Sequence, residues 1–191
     1  DDKYFVSEKK VQQIENILKL LIMPKGLKAG QSMYKCATGY QWLIYIAVLC
    51  TVYRDNPEKR RYETGLLELP RKNFKTFTVG TIFIILFLTE PRFSKFYSVA
   101  PDGAISKEIK EAISDTIKSS PLIYEYKGTK RFKLLRDYIK FKPNENTLIP
   151  LAYSNNRMDS RMPNAFIADE VGALPNGYPV EAMRSGQLNV V

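Results

Sequence analysis

The sequence predicts an α/β protein with a mainly parallel central sheet flanked by helices. Apolar runs of strand length alternate with stretches of helical periodicity, the pattern of a layered α/β sheet. One short apolar run, with Leu66, Leu67 and Leu69, feeds a polar turn that ends in Lys75-Thr76, and residues 77–88 beyond it are almost wholly apolar. A second run, Ala165-Phe166-Ile167-Ala168, ends in the adjacent carboxylates Asp169 and Glu170 before Val171-Gly172-Ala173-Leu174-Pro175 breaks it. In a parallel sheet the carboxyl ends of strands open onto the ligand crevice, so both polar termini are expected there.

The elements follow in order. Ser7 is an N-cap for a first helix, in which Val11, Ile14, Leu18, Leu21 and Ile22 recur at helical spacing until Pro24 and Gly26 end it. Residues 30–39 read as a loop and residues 40–52 as a buried helix that Arg54-Asp55-Asn56-Pro57 breaks. Within the run at 62–69, the leucines predict a central, parallel-type strand, with a core helix over 77–88 behind it. That helix is β-branched enough to pass for a strand, and only a phosphate loop, which needs a helix N-terminus, decides it. Residues 95–100 predict the next strand. An amphipathic helix follows over 105–118, with Ile105, Ile109, Ala112, Ile113 and Ile117 on one face. Residues 138–141 and 147–152, joined through Pro143-Asn144-Glu145-Asn146, predict a hairpin on the sheet's edge. Gly177-Tyr178-Pro179 is a turn and 180–187 a last helix.

Composition bounds the chemistry. The 191 residues are 45% hydrophobic and 26% charged, ordinary for one globular domain with a real core. Lysine and arginine number 29 against 20 acids, a net charge of +9, which favours a polyanionic partner such as nucleic acid. With no histidine, Ser-His-Asp and Cys-His catalysis and histidine-ligated metals are excluded within this chain. Cys36 and Cys50 are too few and too far apart for a zinc cluster or redox pair, so reduced buried thiols are expected. The apolar stretches at 42–52 and 77–89 are shorter than the roughly 18 residues that span a bilayer. Asp1-Asp2-Lys3-Tyr4 does not resemble a signal peptide, so a cytosolic protein without a membrane span is expected.

Leu69 to Thr76 has the spacing of the phosphate-binding loop GxxxxGK[ST], with both glycines missing. Such a loop works through backbone N–H groups and a helix N-terminus aimed at phosphate oxygens. Only Lys75, a mobile positive charge, and Thr76, a hydroxyl ligand for magnesium, need particular side chains. A turn followed by a helix that happens to begin with Lys and Thr fits the segment equally well. At the other terminus, Asp169 suits a hydrated magnesium ion and Glu170 the orientation and deprotonation of an attacking water, although a strand leaving the core reads the same way. Gln41 has an amide able to pair with the edge of adenine, or equally to cap a helix or face solvent, and Tyr40 and Trp42 suit core or stacking positions. Residues 127–142 carry Lys127, Lys130, Arg131, Lys133, Arg136, Lys140 and Lys142 with aromatics among them, a row suited to duplex phosphates or to a solvated strand face.

The text Leu69-Pro70-Arg71-Lys72-Asn73-Phe74-Lys75-Thr76 resembles the variant phosphate loop of the large terminase subunits of tailed bacteriophages, which commonly reads Pro-Arg-Lys-Asn-Gly-Lys-Ser or Thr. Phe74 is the departure. Lys25-Gly26-Leu27-Lys28-Ala29-Gly30-Gln31 followed by Tyr40-Gln41-Trp42 resembles the family's upstream segment, and residues 159–174 its approach to the Asp-Glu strand. The resemblance implies a P-loop NTPase fold of the additional-strand, catalytic-glutamate type, with residues 1–56 as an N-terminal helical segment carrying the adenine-side Gln41 and 57–191 as the ATPase core. It implies that ATP lies on Pro70, Arg71, Lys72, Asn73, Phe74, Lys75 and Thr76, with Mg2+ held by Thr76 and Asp169. Glu170, Lys75 and Arg71 would be catalytic, Arg71 by stabilising developing charge or sensing the γ-phosphate.

The implied activity is ATP hydrolysis driving double-stranded DNA into a capsid, by a homo-oligomeric ring acting with a portal protein and a small terminase subunit in the host cytoplasm. The family's coupling strand and its C-terminal nuclease are expected beyond Val191. A helicase-like or restriction-type DNA translocase shares the Lys-Thr loop, the Asp-Glu strand and an upstream Gln. A non-catalytic basic DNA-binding or scaffold protein, whose loop binds nothing, is the third reading.

Overall fold

The computed structural model describes residues 2–70, 73–153 and 161–187. Strand β1 (Tyr4–Val6) pairs antiparallel with β2 (Thr51–Tyr53), bracketing the first helices. Helix α1 (Glu8–Leu20) starts where Ser7 accepts a hydrogen bond from the Lys10 N–H, the cap its sequence predicts. It buries Ile14, Ile17 and Leu18 and ends at Leu21, before Pro24 is reached. The expected loop at 30–39 contains a short helix, α2 (Met33–Cys36), with Met33 and Cys36 buried.

The single helix expected over 40–52 is three elements: α3 (Gly39–Tyr45), a π-helical turn (Ile46–Cys50) and β2. The apolar run continues, but its β-branched C-terminal residues, Thr51 and Val52, leave the helix to pair with β1.

Residues 62–69 form no strand, contrary to the central strand expected there. The alternation is present, with Leu67 and Leu69 partly buried and Leu66 and Glu68 exposed, Leu66 at 89%. What the segment lacks is a ladder partner: the five-stranded sheet ends at the Ala165–Ala168 strand, with nothing paired to its outer edge among the described residues. An extended segment without such a partner remains coil.

Helix α4 (Lys75–Thr89) follows, apolar nearly all round, and buries nine residues between Thr78 and Phe87. The chain then builds β3 (Lys95–Ala100) and α5 (Gly103–Lys118), whose N-cap Asp102 accepts from the N–H groups of Ala104 and Ile105 at 2.7 and 2.9 Å. Gly80 of α4 lies so close to α5 that a Cβ there would stand 3.3 Å from Ile113 Cγ1. After α6 (Pro121–Tyr124) comes a two-stranded hairpin, β4 (Glu125–Tyr126) and β5 (Thr129–Lys130). Then follow β6 (Phe132–Leu134), β7 (Ile139–Phe141), β8 (Asn146–Ala152), β9 (Ala165–Ala168) and α7 (Tyr178–Gln187).

The five-stranded sheet runs β6-β7-β8-β3-β9 and is mixed, not mainly parallel as expected. β3 is parallel to both β8 and β9, while β6-β7 and β7-β8 are antiparallel. The turn between β7 and β8 is too short for a crossover and forces an antiparallel return. That hairpin is also not the edge: β6 covers β7, and β8 lies against β3 inside the sheet.

One sheet face packs on α4 and α5 through Phe96, Ile139 and Leu148, in a core shared with Ile14, Leu18 and Tyr45 of the N-terminal helices. Edge-to-face contacts link Phe87 to Phe96 and to Phe132 at 5.4 and 5.7 Å. The other face carries Tyr97, Val99 and Leu151 against Met183 of α7. Buried Asn146 fastens the layers, accepting from the Ser94 N–H and donating to the carbonyls of Phe87 and Glu90.

Candidate functional site

The site is where the N-terminus of α4 meets the carboxyl end of β9. Asp169 follows the last residue of β9, and its N–H donates to the Val99 carbonyl at 2.8 Å, prolonging the parallel ladder by one bond. That bond holds the Asp169 side chain at the sheet's end, 8% exposed. Glu170 then turns into the left-handed region, φ 49° and ψ 44°, and its side chain is 54% exposed. Adjacent carboxylates are thereby given different surroundings. The Glu170 N–H donates back to Asp169 Oδ1 at 3.0 Å.

On the opposite wall, Phe74 caps α4 in the left-handed conformation, φ 54° and ψ 28°. This is the position at which GxxxxGK[ST] has its second glycine, and the backbone here has the positive φ that glycine accommodates. Lys75 is the first helical residue. Its ammonium lies 2.9 Å from Asp169 Oδ1 and 2.8 Å from Glu170 Oε1, across 95 positions of sequence in the second case. The bond to Glu170, against the smaller opposing effect of burial and with help from Asp169, raises the Lys75 pKa above its ordinary value, so the ammonium is charged at neutral pH. Thr76 follows in the first turn of α4, half-buried. The first N–H groups of a 15-residue helix have no intrahelical acceptor and present positive partial charge.

Hydrogen bonds reach the loop from α3. The Tyr40 hydroxyl donates to the Asn73 carbonyl at 2.7 Å, and the Asn73 amide donates to the Pro70 carbonyl at 3.2 Å. Buried Gln41 accepts from the Thr38 N–H and hydroxyl at 3.0 and 3.1 Å and donates to Thr78 Oγ1 at 2.8 Å. Thr78 Oγ1 donates in turn to the Phe74 carbonyl at 3.0 Å. Gln41 thus joins the cap of α3 to the residue that turns the chain into α4. Its carbonyl oxygen already serves Thr38, so pairing with adenine requires it to exchange those partners.

Lys75, Asp169 and Glu170 are brought together, with Phe74, Asn73 and Thr76 adjoining Lys75 in sequence and Gln41 linked to Phe74 by two hydrogen bonds through Thr78. Pro70 is exposed at the start of the loop. Arg71 and Lys72, both expected to contact phosphate, lie outside the described residues. Tyr40, Thr38 and Thr78 carry loop-positioning contacts that the sequence reading did not assign. The spacing Thr38-x-x-Gln41 is a capping box and signals one of them, but nothing local signals Thr78.

Among the described residues no three His, Cys, Asp or Glu side chains gather as a metal cluster. The oxygen donors at hand are the Asp169 and Glu170 carboxylates, with Thr76 contributing a hydroxyl from the first turn of α4, a sparse set of the kind that suits magnesium, which keeps several waters and takes further oxygens from substrate phosphates. No described helix is long and apolar enough to cross a membrane.

No protein-family model matches the sequence, and no curated protein matches it. Comparison with solved structures finds the large terminase of bacteriophage HK97, with a TM-score of 0.72 over 92% of this chain at 17% sequence identity. The chain spans 34% of that terminase's length. In fold, this protein is similar to a bacteriophage large terminase.

Proposed function

We propose that this chain is the ATP-hydrolysing motor portion of a large terminase, of P-loop NTPase type, which drives double-stranded DNA into a capsid. The observation that carries the reading is the meeting of Lys75 with Asp169 and Glu170 at the N-terminus of a long helix. Cation, acid pair and unsatisfied backbone N–H groups at one sheet end are the parts that phosphoryl transfer needs. The fold similarity to a terminase supports the same reading.

In this mechanism the triphosphate of ATP sits on the backbone between Arg71 and Thr76, where helix N–H groups and the Lys75 ammonium offset its charge. Lys75 must first exchange its carboxylate partners for phosphate oxygens. Thr76 and Asp169 would hold a magnesium ion, which when bound supplies charge neutralisation at the outer phosphates. Glu170, the more exposed carboxylate, then orients a water and accepts its proton as the oxygen attacks the γ-phosphorus in line and ADP leaves. Arg71 would stabilise charge developing in transfer, and Gln41 would face adenine and favour ATP over GTP. A ring of such subunits, docked on a portal protein and supplied with DNA by a small terminase subunit, would convert hydrolysis into translocation.

Two variants test the assignment. Lys75→Ala should lose saturable ATP binding, whereas Glu170→Gln should bind ATP and release no phosphate; isothermal titration and a phosphate-release assay read the two steps. A parent chain with no saturable ATP binding in magnesium would favour the non-catalytic DNA-binding reading. Hydrolysis persisting in both variants would reject these residues as the site.

A further inference from the structure

A second concentration of charge lies at the other end of the sheet. The β4–β5 hairpin, turning through Lys127 and Gly128 at φ 49° and 76°, and the turn after β7 border a shallow, open recess of about 320 Å³. Tyr126, Thr129, Lys130, Arg131, Lys142 and Pro143 line it. Register fixes where it is. Phe132 stands opposite Phe141 and Phe141 opposite Asn146, so Arg131 and Lys142 flank the start of β8. Asp169 follows the end of β9, which runs parallel to β3 as β8 does.

The cations here are held but not neutralised. Lys127 stands over the Tyr126 ring at 5.4 Å, Lys130 over Tyr124 at 5.7 Å and Arg131 over Phe141 at 5.0 Å. Among the described residues, Lys127, Lys130, Arg131, Lys133 and Lys142 form no ion pair, whereas neighbouring Lys140 is paired with Glu145. The hairpin's own carboxylate, Glu125, is the ladder partner of Lys130 and makes no ion pair within 4.0 Å. Positive charges kept together on a strand framework, in excess over neighbouring carboxylates such as Glu125, are complementary to a polyanion.

We propose that this face docks the phosphate backbone of duplex nucleic acid, with Lys130, Arg131 and Lys142 as its principal phosphate contacts. A duplex fits better than a single strand. Single-strand sites offer successive bases a run of stacking platforms. Here Phe132 and Phe141 are buried and cations stand over the rings of Tyr124, Tyr126 and Phe93, which leaves no run of free stacking platforms among the described residues. The assignment does not depend on the ATP-site reading, because the two sites occupy opposite ends of the sheet.

The test is fluorescence anisotropy of a labelled duplex of about three helical turns and arbitrary sequence, titrated with the whole chain over a range of salt. Lys130→Ala/Arg131→Ala/Lys142→Ala should weaken binding by about tenfold or more. It should also reduce the slope of log affinity against log salt by about two to three. Glu125→Gln should tighten binding, a gain that misfolding does not produce. Removing the same charge elsewhere, with Lys9→Ala/Lys28→Ala/Lys118→Ala, should leave affinity near that of the parent. The proposal is overturned if that control loses as much as the triple variant, if the triple variant binds like the parent, if a single strand of equal length binds as tightly, or if the parent does not bind duplex at low salt. The triple variant should keep the parent's ATP affinity and Lys75→Ala its DNA affinity. A parent that binds duplex but not ATP would therefore refute the nucleotide site and leave this one standing.

Discussion

Phe74 shows how much one backbone position constrains a loop. An L-residue with a large side chain in the left-handed region costs about 1–2 kcal/mol, which glycine would not incur. The strain is retained because several groups over-determine the residue: Thr78 Oγ1 holds its carbonyl, and Tyr40 and Asn73 fix the turn before it. Phe74→Gly should therefore stabilise the chain by about 1 kcal/mol, after allowing for the greater freedom of an unfolded glycine. In a thermal melt that is an upward shift of about 2–4 °C for a domain of this size. Phe74→Ala, which removes the ring but keeps the Cβ, should show no such rise. An alanine variant matching the glycine variant would mean that the exposed ring, not the backbone, is what costs.

At the scale of elements, the site depends on how α3, α4 and β9 are joined. The relay from Thr38 through Gln41 and Thr78 to the Phe74 carbonyl ties the N-termini of α3 and α4 with hydrogen bonds of 2.8 to 3.1 Å. Gln41→Leu removes the donor to buried Thr78 and leaves the part-buried Thr38 N–H without its acceptor, and should cost about 1–3 kcal/mol. The check is the urea midpoint, which should fall at unchanged slope. An unchanged midpoint would mean that water replaces the relay at no cost. The same elements explain why Lys75 reaches the carboxylates: α4 points its N-terminus at the end of the sheet where parallel β9 delivers Asp169 and Glu170.

At the scale of the whole molecule, Cys50, Tyr45 and Lys75 among the described residues bear on the pH dependence of folding. Burial pushes the Cys50 thiol from 9.0 to about 11 and the Tyr45 hydroxyl from 10.0 to about 12. The Lys75 ammonium is raised by its bond to Glu170. In each case the folded chain holds the proton more tightly than the unfolded chain. Their contribution to stability is therefore complete below the ordinary pKa and is lost as pH rises through the folded value. For Cys50 and Tyr45 the shifts correspond to at most about 2–3 kcal/mol each. Denaturant midpoints under reducing conditions should fall as pH rises from about 8 to about 11, and Cys50→Ala should flatten the first part of that fall. A profile flat over the whole range would show that these protons do not distinguish the folded from the unfolded chain.

The parts of the fold legible in the sequence are those whose cause is local. Residues 95–100 read as a strand and form β3, because an apolar, β-rich run bounded by a Pro-Asp-Gly turn specifies itself. Ser7 caps α1 as read, and the isoleucine stripe at 109, 113 and 117 is the buried face of α5. What was misread depends on partners distant in sequence. Residues 62–69 have a strand's alternation and no ladder, the apolar run at 40–52 divides where β1 recruits Thr51 and Val52, and the hairpin expected at the edge is covered by β6. Within the candidate site, Lys75, Asp169 and Glu170 were legible as residue types at the ends of two apolar runs, whereas Thr78 was not, because a threonine one turn inside a helix carries no distinguishing pattern.

By itself, the sequence determined the chemistry available to this protein: no histidine, carboxylates and lysines for any reaction, an excess of positive charge, and a Lys-Thr helix start and an Asp-Glu strand end as its polar termini. Only the tertiary structure decided that these termini meet, with an ammonium 2.8 and 2.9 Å from two carboxylates, and that a second group of cations gathers at the far end of the sheet. The physical reason is range. Composition, caps and periodicity act within a few residues, whereas the pairing of β3 with β8 and β9 and the burial of α4 against them are settled by the whole core at once.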